Sequence, residues 1–207
     1  MLRKFIMAVS ALWIATGVAA AQPAPKGEAP KTETATFAGG CFWCVEADLD
    51  KVEGVISTTS GFMGGTTKKP TYRQVTAGGT GHLEVVQVVF DPKKLSYRRL
   101  LDKFWHSIDP YDARGQFCDK GDSYKTAIFT HTPEQKNIAT ASLESLKKNG
   151  PLKEPVATVV RDAGDFTAAE DYHQDYYKKN PFHYAFYRHG CGRDARVEQI
   201  WGKKVMN

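Results

Sequence analysis

The chain turns sharply into a helix at Gly39-Gly40, and this junction constrains its fold more than any other feature. Glycine tolerates backbone angles that other residues avoid, so two in succession allow a tight turn. The apolar residues that follow recur at steps of three, four and three, which is the spacing of one helix face: Phe42, Val45, Leu49 and Val52. We therefore predict a helix over residues 41–52 that begins at Cys41.

Cys41 has the position of a reactive thiol. The unpaired N–H groups and the dipole at a helix N-terminus favour an anion. They are expected to lower the pKa of the Cys41 thiol and to raise its thiolate fraction. Because Phe42 and Trp43 follow directly, the sequence predicts a nucleophile beside an apolar binding surface.

Four cysteines are present, and two of them form a C-x-x-C pair: Cys41, Cys44, Cys118 and Cys191. Such a pair closes a loop too small to constrain the unfolded chain, so it indicates redox work or a metal. The c-type haem signature fails because Val45, not histidine, follows Cys44. There is no second C-x-x-C for a four-cysteine zinc site, and the histidines lack ligand spacing, so we predict no metal.

The N-terminus is typical of an exported protein. Arg3 and Lys4 precede an apolar stretch at residues 5–18, and the three alanines at 19–21 give an A-x-A cleavage pattern. We interpret residues 1–21 as a signal peptide, residues 22–33 as a flexible tether, and residues 34–207 as a single enzyme domain, periplasmic or secreted. The alternative is an uncleaved anchor, although the apolar stretch is short for a membrane span. In an oxidising compartment, a structural disulfide is a further alternative use for the cysteines.

Charge argues against a nucleic-acid partner. The formal net charge of the 207 residues is +5, and cleavage after Ala21 would remove two basic residues and leave +3. No run of five or more lysines or arginines occurs, so the charge serves solubility. We predict no nucleic-acid binding, and no stable membrane insertion after cleavage.

Strands alternate with helices along the chain. We predict strands at residues 34–37, 55–62, 83–90, 126–130 and 156–160. Helices are predicted at 97–106 and 132–148, and another is predicted to begin at a Thr167/Glu170 capping box and to end before Pro181. Residues 68–81 read as a loop, and the C-terminal stretch shows no clear periodicity. The fold class is α/β (α+β), a two-layer sandwich with a split βαβ, ferredoxin-like unit, although periodicity also allows a thioredoxin-like sheet.

Glu84 is the candidate proton donor. Strand side chains alternate, so Glu84 shares a face with Val86, Val88 and Phe90. Burial on that apolar face would raise the pKa of its carboxyl, and a carboxyl protonated near neutral pH can act as a general acid. The alternative is a solvent-facing residue at the strand start. Three further candidates read singly as surface polar residues: Tyr72, Asp119 and Tyr124.

Several stretches, taken in order, resemble the peptide methionine sulfoxide reductase A family. They cover about residues 34–177 and include Gly40-Cys41-Phe42-Trp43, Gly61-Phe62-Met63-Gly64-Gly65, Pro70-Thr71-Tyr72, Gly81-His82-Leu83-Glu84-Val85-Val86, Phe104-Trp105, Asp109-Pro110, Asp119-Lys120-Gly121-Asp122-Ser123-Tyr124 and Ala169-Glu170-Asp171-Tyr172-His173-Gln174.

The resemblance implies a role for each candidate residue and a two-layer α/β fold with a split βαβ unit. Cys41 would attack the sulfoxide sulfur, and Glu84 would hold and protonate the sulfoxide oxygen. Tyr72 and Tyr124 would donate hydrogen bonds to that oxygen. Asp119 would bind through water or the substrate backbone. Phe42 and Trp43 would cradle the methyl group.

The resemblance also implies the course of the reaction. Cys41 becomes a sulfenic acid, a second thiol condenses with it to a disulfide, and an external reductant of thioredoxin type clears the disulfide. The substrate is the S epimer of methionine sulfoxide, free or in oxidised proteins, and there is no metal or bound organic cofactor. Residue chemistry agrees, since sulfoxide reduction needs a reactive thiol, a proton donor and a recycling thiol.

The resolving cysteine is open, because the sequence departs from the commoner family pattern twice. Cys118 stands where that pattern has Asn, and Cys44 stands where it often has Gly. Cys44 lies three residues from Cys41 on one helix face, and we favour it slightly. Cys191 lies between two glycines in a tail segment, and tails supply the resolver in many relatives. Cys118 is the third candidate.

Two other functions compete with sulfoxide reduction. A thioredoxin-type thiol–disulfide oxidoreductase would explain the C-x-x-C pair and the export, but not Glu84, Tyr72 and Tyr124. A non-enzymatic interaction domain with an incidental C-x-x-C is the remaining alternative.

Overall fold

The computed structural model describes residues 31–203. The predicted signal peptide and most of the predicted tether lie outside the described residues. Within residues 31–203, no helix combines the length and the apolar character needed to cross a membrane.

A mixed six-stranded sheet forms one layer of the fold. Its strand order is β7-β6-β1-β3-β2-β8, and a two-stranded ribbon, β4-β5, lies apart from it. The strands are β1 Glu33–Gly39, β2 Val55–Met63, β3 Leu83–Phe90, β4 Gly115–Gln116, β5 Asp119–Lys120, β6 Thr126–Thr130, β7 Val159–Asp162 and β8 Thr167–Ala168.

The split βαβ unit is present. Strands β1 and β2 both pair antiparallel with β3, so they run parallel to each other with β3 between them. The helix that joins them is α1, so the connection β1–α1–β2 spans the intervening strand. This confirms the predicted fold class and excludes the thioredoxin-like alternative.

Helices form the second layer. They are α1 Phe42–Leu49, α2 Tyr72–Ala77, α3 Tyr97–Trp105, α4 Pro133–Asn149, α5 Tyr176–Lys179, α6 Pro181–Gly190 and α7 Arg193–Trp201. The main core lies between one face of the sheet and α1, α3 and α4. Because Val86, Val88 and Phe90 of β3 belong to this core, the side of β3 that carries Glu84 faces the helices.

Gly40 makes the turn that places Cys41. Its φ is +81°, and a Cβ there would lie 2.5 Å from Cβ of Gln116. Both the backbone angle and the space therefore demand glycine. The chain enters α1 with Cys41 as the N-terminal capping residue, as the sequence predicts, and the helix ends at Leu49.

Two local predictions are wrong. Residues 68–81 contain α2, which is capped by reciprocal hydrogen bonds between Thr71 and Gln74. Thr167 does not cap a helix but lies in β8, where it pairs with β2. The Glu170 carboxylate instead accepts a hydrogen bond from the Tyr72 N–H, 3.1 Å away, so it ties α2 to the segment that follows β8.

The C-terminal stretch is helical although its sequence lacks clear periodicity. Helix α6 has Pro181 in its first turn, and α7 follows after Gly192, whose φ is +67°. Phe182 and Phe186 are 91% and 82% exposed on α6. A helix is normally recognised in a sequence by apolar residues on its buried face and polar residues on its exposed face. Exposed phenylalanines on α6 break this pattern.

Candidate active site

Cys41 and Cys44 lie side by side at the start of α1, and both are buried free thiols. They are close enough for each thiol to shift the pKa of the other. Burial raises the pKa of Cys41 well above its ordinary value, and Cys44 and Glu84 raise it further. The pKa of Cys44 is lowered, first by Cys41 and then by Arg193 and Arg188. The expected lowering at Cys41 is therefore wrong for the resting enzyme, because desolvation outweighs the helix N-terminus.

Glu84 lies next to this pair, at the start of β3, and is 1% exposed. Its Oε2 accepts a hydrogen bond of 3.0 Å from the Phe42 N–H. Its Oε1 is buried and has no hydrogen-bond partner among the described residues. Burial raises the pKa of Glu84 to about 8, with Asp119 and Cys44 adding to the effect, so the carboxyl is largely protonated at pH 7.

Two tyrosines and an aspartate surround the same point. The hydroxyls of Tyr72 and Tyr124 are close enough for each to shift the pKa of the other, and the charges of Glu84 and Asp119 act on both hydroxyls. Burial raises the pKa of Tyr72 to about 12 and raises that of Tyr124 as well. Burial also raises the pKa of Asp119. All three sequence candidates thus converge on Glu84, as donors and acceptors around one small polar site.

Phe42 and Trp43 supply the apolar part of the site. The Phe42 ring lies 5.9 Å from that of Phe62 and 6.1 Å from that of Tyr72, centroid to centroid. The Trp43 indole stacks on Tyr176, with centroids 3.7 Å apart and planes within 6°. Aromatic walls on either side of Cys41 suit a methyl thioether.

A buried thiol, a protonated carboxyl with one free oxygen, and aromatic walls describe a site that can reduce a sulfoxide. The family model for peptide methionine sulfoxide reductase matches residues 33–205. The chain belongs to this family. The enzyme is thus a thiol-dependent oxidoreductase that reduces methionine sulfoxide, and not a non-enzymatic interaction domain.

Relatives and solved structures agree with this assignment. The chain is 48% identical over 176 residues to peptide methionine sulfoxide reductase MsrA of Bacillus licheniformis, covering 85% of this chain and 97% of that one. It is 52% identical over 182 residues to MsrA 2 of Caulobacter vibrioides, covering 86% and 90%.

Two solved structures share the fold. Reduced Mxr1 from Saccharomyces cerevisiae matches with a TM-score of 0.67 and 32% identity, over 75% of this chain and 90% of that one. Methionine sulfoxide reductase A of Corynebacterium diphtheriae matches with a TM-score of 0.64 and 34% identity, over 75% and 77%.

His173 is part of the reductase site, although the sequence suggested no separate role for it. Its Nδ1 accepts a hydrogen bond of 3.0 Å from the Trp43 indole N–H. Its ring lies 5.0 Å from Phe42 and 4.3 Å from Tyr72. Burial lowers the pKa of His173, so the ring is neutral and orients both aromatic walls. The sequence around His173, after β8, has no periodic pattern, so its role is visible only in its contacts with Trp43 and Tyr72.

Helices α6 and α7 bring two more groups that sequence reasoning missed. The Tyr187 hydroxyl donates a hydrogen bond to Asp119 Oδ2, and it lies close enough to Cys41 for each group to shift the pKa of the other. The Arg193 guanidinium is buried, donates to the carbonyl oxygens of Gly39 and Ser107, and lies 4.6 Å from the Phe117 ring centroid. Its charge lowers the pKa of Cys44 more than that of Arg188 does, and so favours a Cys44 thiolate.

Cys118 and Cys191 form a disulfide that joins the β4-β5 ribbon to the end of α6. Cys191 therefore lies in an ordered junction between two helices, bonded to Cys118 and not to Cys41. Among residues 31–203, the one group close enough to hold a metal ion is Cys118, Asp119 and Cys191, and both of its sulfurs are in this disulfide. The structure brings all the sequence candidates together around Cys41, with Cys191 at the edge of the site.

Proposed function

We propose that this reductase acts on the S epimer of methionine sulfoxide, free or in oxidised proteins, with Cys41 as nucleophile and Glu84 as general acid. The observation that carries the proposal is the free Oε1 of Glu84. A buried polar atom without a partner is costly unless a ligand satisfies it. A protonated carboxyl beside a thiol would fill that need by donating to the sulfoxide oxygen.

The first half-reaction follows from these positions. The Cys41 sulfur attacks the sulfoxide sulfur while Glu84 donates its proton to the oxygen. This attack forms a sulfur–sulfur bond. The protonated oxygen then passes to Cys41 as the S–O bond and the sulfur–sulfur bond break, so that Cys41 becomes a sulfenic acid and methionine leaves. The proton that the Cys41 thiol loses restores the Glu84 carboxyl. The cysteine is oxidised by two electrons and the sulfoxide sulfur is reduced by two, so the step needs no other oxidant or reductant.

The remaining site residues would hold the substrate. Tyr72 and Tyr124 would donate hydrogen bonds to the sulfoxide oxygen, and Asp119 would contact the substrate backbone. Phe42 and Trp43 would enclose the methyl group, where a polar atom would be rejected.

The choice of epimer follows from fixing three directions around a tetrahedral sulfur. If the oxygen points to Glu84, the methyl group to Phe42 and Trp43, and the attack comes from Cys41, the fourth direction carries the rest of the methionine. In one epimer the rest of the methionine then points out of the site. In the other epimer it takes the place of the methyl group and collides with the aromatic walls. Family resemblance assigns the productive epimer as S.

The test is reduction of each purified epimer with excess dithiothreitol. We expect methionine from the S epimer and a rate from the R epimer that is lower by at least about two orders of magnitude, as for a substrate whose contacts are misplaced. Cys41→Ser should give no turnover, because a hydroxyl at this position does not ionise as a thiol does. Equal rates on both epimers, or turnover by Cys41→Ser, would contradict the proposal.

For recycling we propose that Cys44 resolves the sulfenic acid and that an external reductant of thioredoxin type clears the resulting disulfide. Cys44 and Cys41 lie three residues apart at the start of α1, close enough to shift each other's pKa, and the lowered pKa of Cys44 supplies a thiolate. The product is a protein disulfide, and a dithiol reductant is the class of molecule that reverses it by exchange.

Peptide mapping after one turnover without reductant tests this assignment. We expect a Cys41–Cys44 disulfide in the wild type and accumulated sulfenic acid in Cys44→Ser. A Cys41–Cys191 linkage, with Cys44→Ser still recycled by thioredoxin, would assign the role to Cys191 instead.

We also propose that the enzyme is exported, with residues 1–21 cleaved, residues 22–33 as a tether and residues 34–207 as the enzyme domain. The basic, apolar and small-residue segments of the N-terminus support this proposal. N-terminal sequencing of the protein from the periplasmic or culture fraction should find Gln22 first. A chain that begins at Met1 and stays in the cytoplasmic fraction would overturn it.

A further inference from the structure

The large apolar side chains that are exposed to solvent are concentrated in one part of the chain. Among residues 31–203 they are Ile56, Val159, Tyr172, Phe182 and Phe186, and the three aromatic ones lie between β8 and α7. Tyr172 is 58% exposed, and the two phenylalanines are more exposed still. Single apolar residues are common on protein surfaces, but neighbouring ones mark a binding site.

Helix α6 turns one face towards α1. Tyr184 is buried against Cys44 of α1. The Arg188 guanidinium, four residues further on, forms an ion pair of 2.8 Å with the Asp48 carboxylate. Residues four apart lie on the same side of a helix, so these two contacts fix how α6 is rotated about its own axis.

The next face of α6 lines the reductase site. The rings of His183 and Tyr187 lie 6.5 Å and 5.7 Å from that of Trp43, centroid to centroid. Phe182 and Phe186 each precede one of these residues, so they lie about 100° further round the helix, away from α1. The exposed pair therefore borders the site on the side that is open to solvent.

Tyr172 borders the same site from the segment that precedes α5. Its ring centroid lies 4.1 Å from that of His173, and the His173 ring lies 5.7 Å from Trp43. Tyr172, Phe182 and Phe186 thus all adjoin residues that contact Trp43. We call these three exposed side chains the aromatic rim.

We propose that the aromatic rim binds the polypeptide on either side of a methionine sulfoxide, as an extended, unfolded segment with apolar residues next to the oxidised methionine. The proposal rests on the proposed function, since it adds a binding surface to the same site. When the sulfoxide of a protein-bound methionine enters the site, the backbone that carries it must cross the mouth of the site beside Trp43. The residues before and after it then meet the rim.

Apolar residues are what such a segment contains. Methionine is among the residues most often buried, so its neighbours in a protein core are apolar. Oxidation makes its side chain polar and disrupts that packing, so the oxidised methionine and its neighbours become accessible together. The phenyl rings of the rim can cover these neighbours and remove apolar area from water on both partners.

The size of the rim favours a short segment over a folded partner or a second copy of this chain. The two phenylalanines of α6 offer at most about 500 Å² of side-chain surface. A stable interface between folded proteins buries roughly 800 Å² on each partner. A segment of a few residues fits the smaller area.

The test compares three S-sulfoxide substrates with excess dithiothreitol as reductant. They are N-acetylmethionine sulfoxide amide, a seven-residue peptide with the sulfoxide at its centre and leucines on both sides, and the same peptide with serines in place of the leucines. We expect wild-type kcat/KM to be about tenfold higher for the leucine peptide than for the serine peptide, as for partial burial of apolar side chains. In Phe182→Ser/Phe186→Ser, this ratio should fall to about one, through a higher KM for the leucine peptide, because the rim lies away from the reacting atoms.

Ile56→Ser is the matched control. Ile56 is 55% exposed, but it lies six residues along β2 from Phe62, which pairs with Glu84, and so about 20 Å from that end of the strand. The substitution likewise replaces an exposed apolar side chain with serine. We expect the wild-type preference for the leucine peptide.

Phe182→Glu/Phe186→Glu is a second variant, which tests the contact by a gain of function. It should reduce a peptide with lysines beside the sulfoxide with a kcat/KM about threefold above that of wild type, because opposite charges then meet on the rim. An unchanged leucine preference in the folded serine variant would overturn the proposal. So would an equal loss on all three substrates, or a loss seen only when thioredoxin replaces dithiothreitol, which would assign the rim to the reductant. If the wild type reduces none of the three substrates, the proposed function fails instead.

Discussion

Two regions of the molecule build the site in different ways. The first is the split βαβ unit, where the turn into α1 places Cys41 and Cys44 and where β3 places Glu84. The second is the segment from residue 170 to α7, which wraps over the first and brings His173, Tyr187 and others. Every group that would exchange bonds with substrate comes from the first region. The second region supplies groups that orient these residues or shift their pKa values.

The comparison shows that one region sets the positions of the two thiols and that the other contributes to their pKa values. A helix N-terminus alone would make Cys41 the more acidic thiol. In the folded enzyme, burial keeps Cys41 protonated, while the cations Arg193 and Arg188 of the second region favour the thiolate of Cys44. In the proposed mechanism, Cys41 would thus stay protonated until substrate arrives, and Cys44 would be ready to attack the sulfenic acid.

Glu84→Gln, in the first region, is expected to have the largest effect on the reaction rate. The amide can still accept from the Phe42 N–H but cannot release a proton to the sulfoxide oxygen. We expect single-turnover methionine formation to fall by about 10²- to 10⁴-fold, the usual worth of a general acid. Circular dichroism should show an intact fold.

The pH profile of the wild type offers a second view of the same residue. A carboxyl pKa of about 8 means that the acid is present at pH 7 and is lost as pH rises through 8. The single-turnover rate should therefore decline above about pH 8, and Glu84→Gln should lack this decline. A loss below about threefold in Glu84→Gln would place the proton donor elsewhere.

The first region could be predicted from the sequence because its signals are local. Strands β3 and β6 have the predicted bounds, Cys41 begins α1, and the alternation of β3 correctly put Glu84 on the apolar face. Side-chain period and glycine backbone angles determine these features within a few residues.

The second region could not be predicted in the same way. The Tyr187 hydrogen bond to Asp119 joins residues 68 positions apart, and the Trp43–His173 bond joins residues 130 apart. Such contacts leave no periodic trace, and exposed Phe182 and Phe186 obscure the helix that carries Tyr187. The Thr167/Glu170 pattern fits a capping box, but pairing with β2 wins over the local preference.

Removing the disulfide of the second region should lower the free energy of unfolding but have little effect on the single-turnover rate. The Cys118–Cys191 bond closes a loop of 73 residues, for which loop entropy gives about 4 kcal/mol of stabilisation. We expect the double variant Cys118→Ser/Cys191→Ser to lose a large part of this in urea unfolding. Its single-turnover rate should stay within about threefold of wild type when the fold is intact, because Cys41, Glu84 and Cys44 are untouched.

The same double variant also tests which of the two regions supplies the resolving thiol. If it still recycles with thioredoxin, the resolving thiol belongs to α1. If it completes one turnover and then stops with Cys41 as a sulfenic acid, Cys191 or Cys118 is required for recycling. Wild type with the disulfide intact is the matched control.

The smallest expected effect concerns Glu46, a buried carboxyl of α1 that contacts the second region. It is 1% exposed, and its Oε2 accepts a hydrogen bond of 3.0 Å from the Asp175 N–H. Burial, with a contribution from Asp175, raises the pKa of Glu46 to about 7 from its ordinary 4.5. Between those two pH values the folded chain keeps a proton that the unfolded chain has lost. The free energy of unfolding must therefore fall as pH rises across this window.

Glu46→Gln removes that penalty while keeping an acceptor for the Asp175 N–H. We expect the variant to be more stable than wild type at pH 8 by on the order of 2 kcal/mol, and nearly equal to it below pH 4.5. Glu84 titrates in both proteins, so the difference between their stability–pH curves isolates Glu46. Glu53→Gln, at an exposed position just after α1, is the control and should follow the wild-type curve. If Glu46→Gln runs parallel to wild type at all pH values, Glu46 is ionised in the folded enzyme, and the two regions meet through a charge instead of a buried proton.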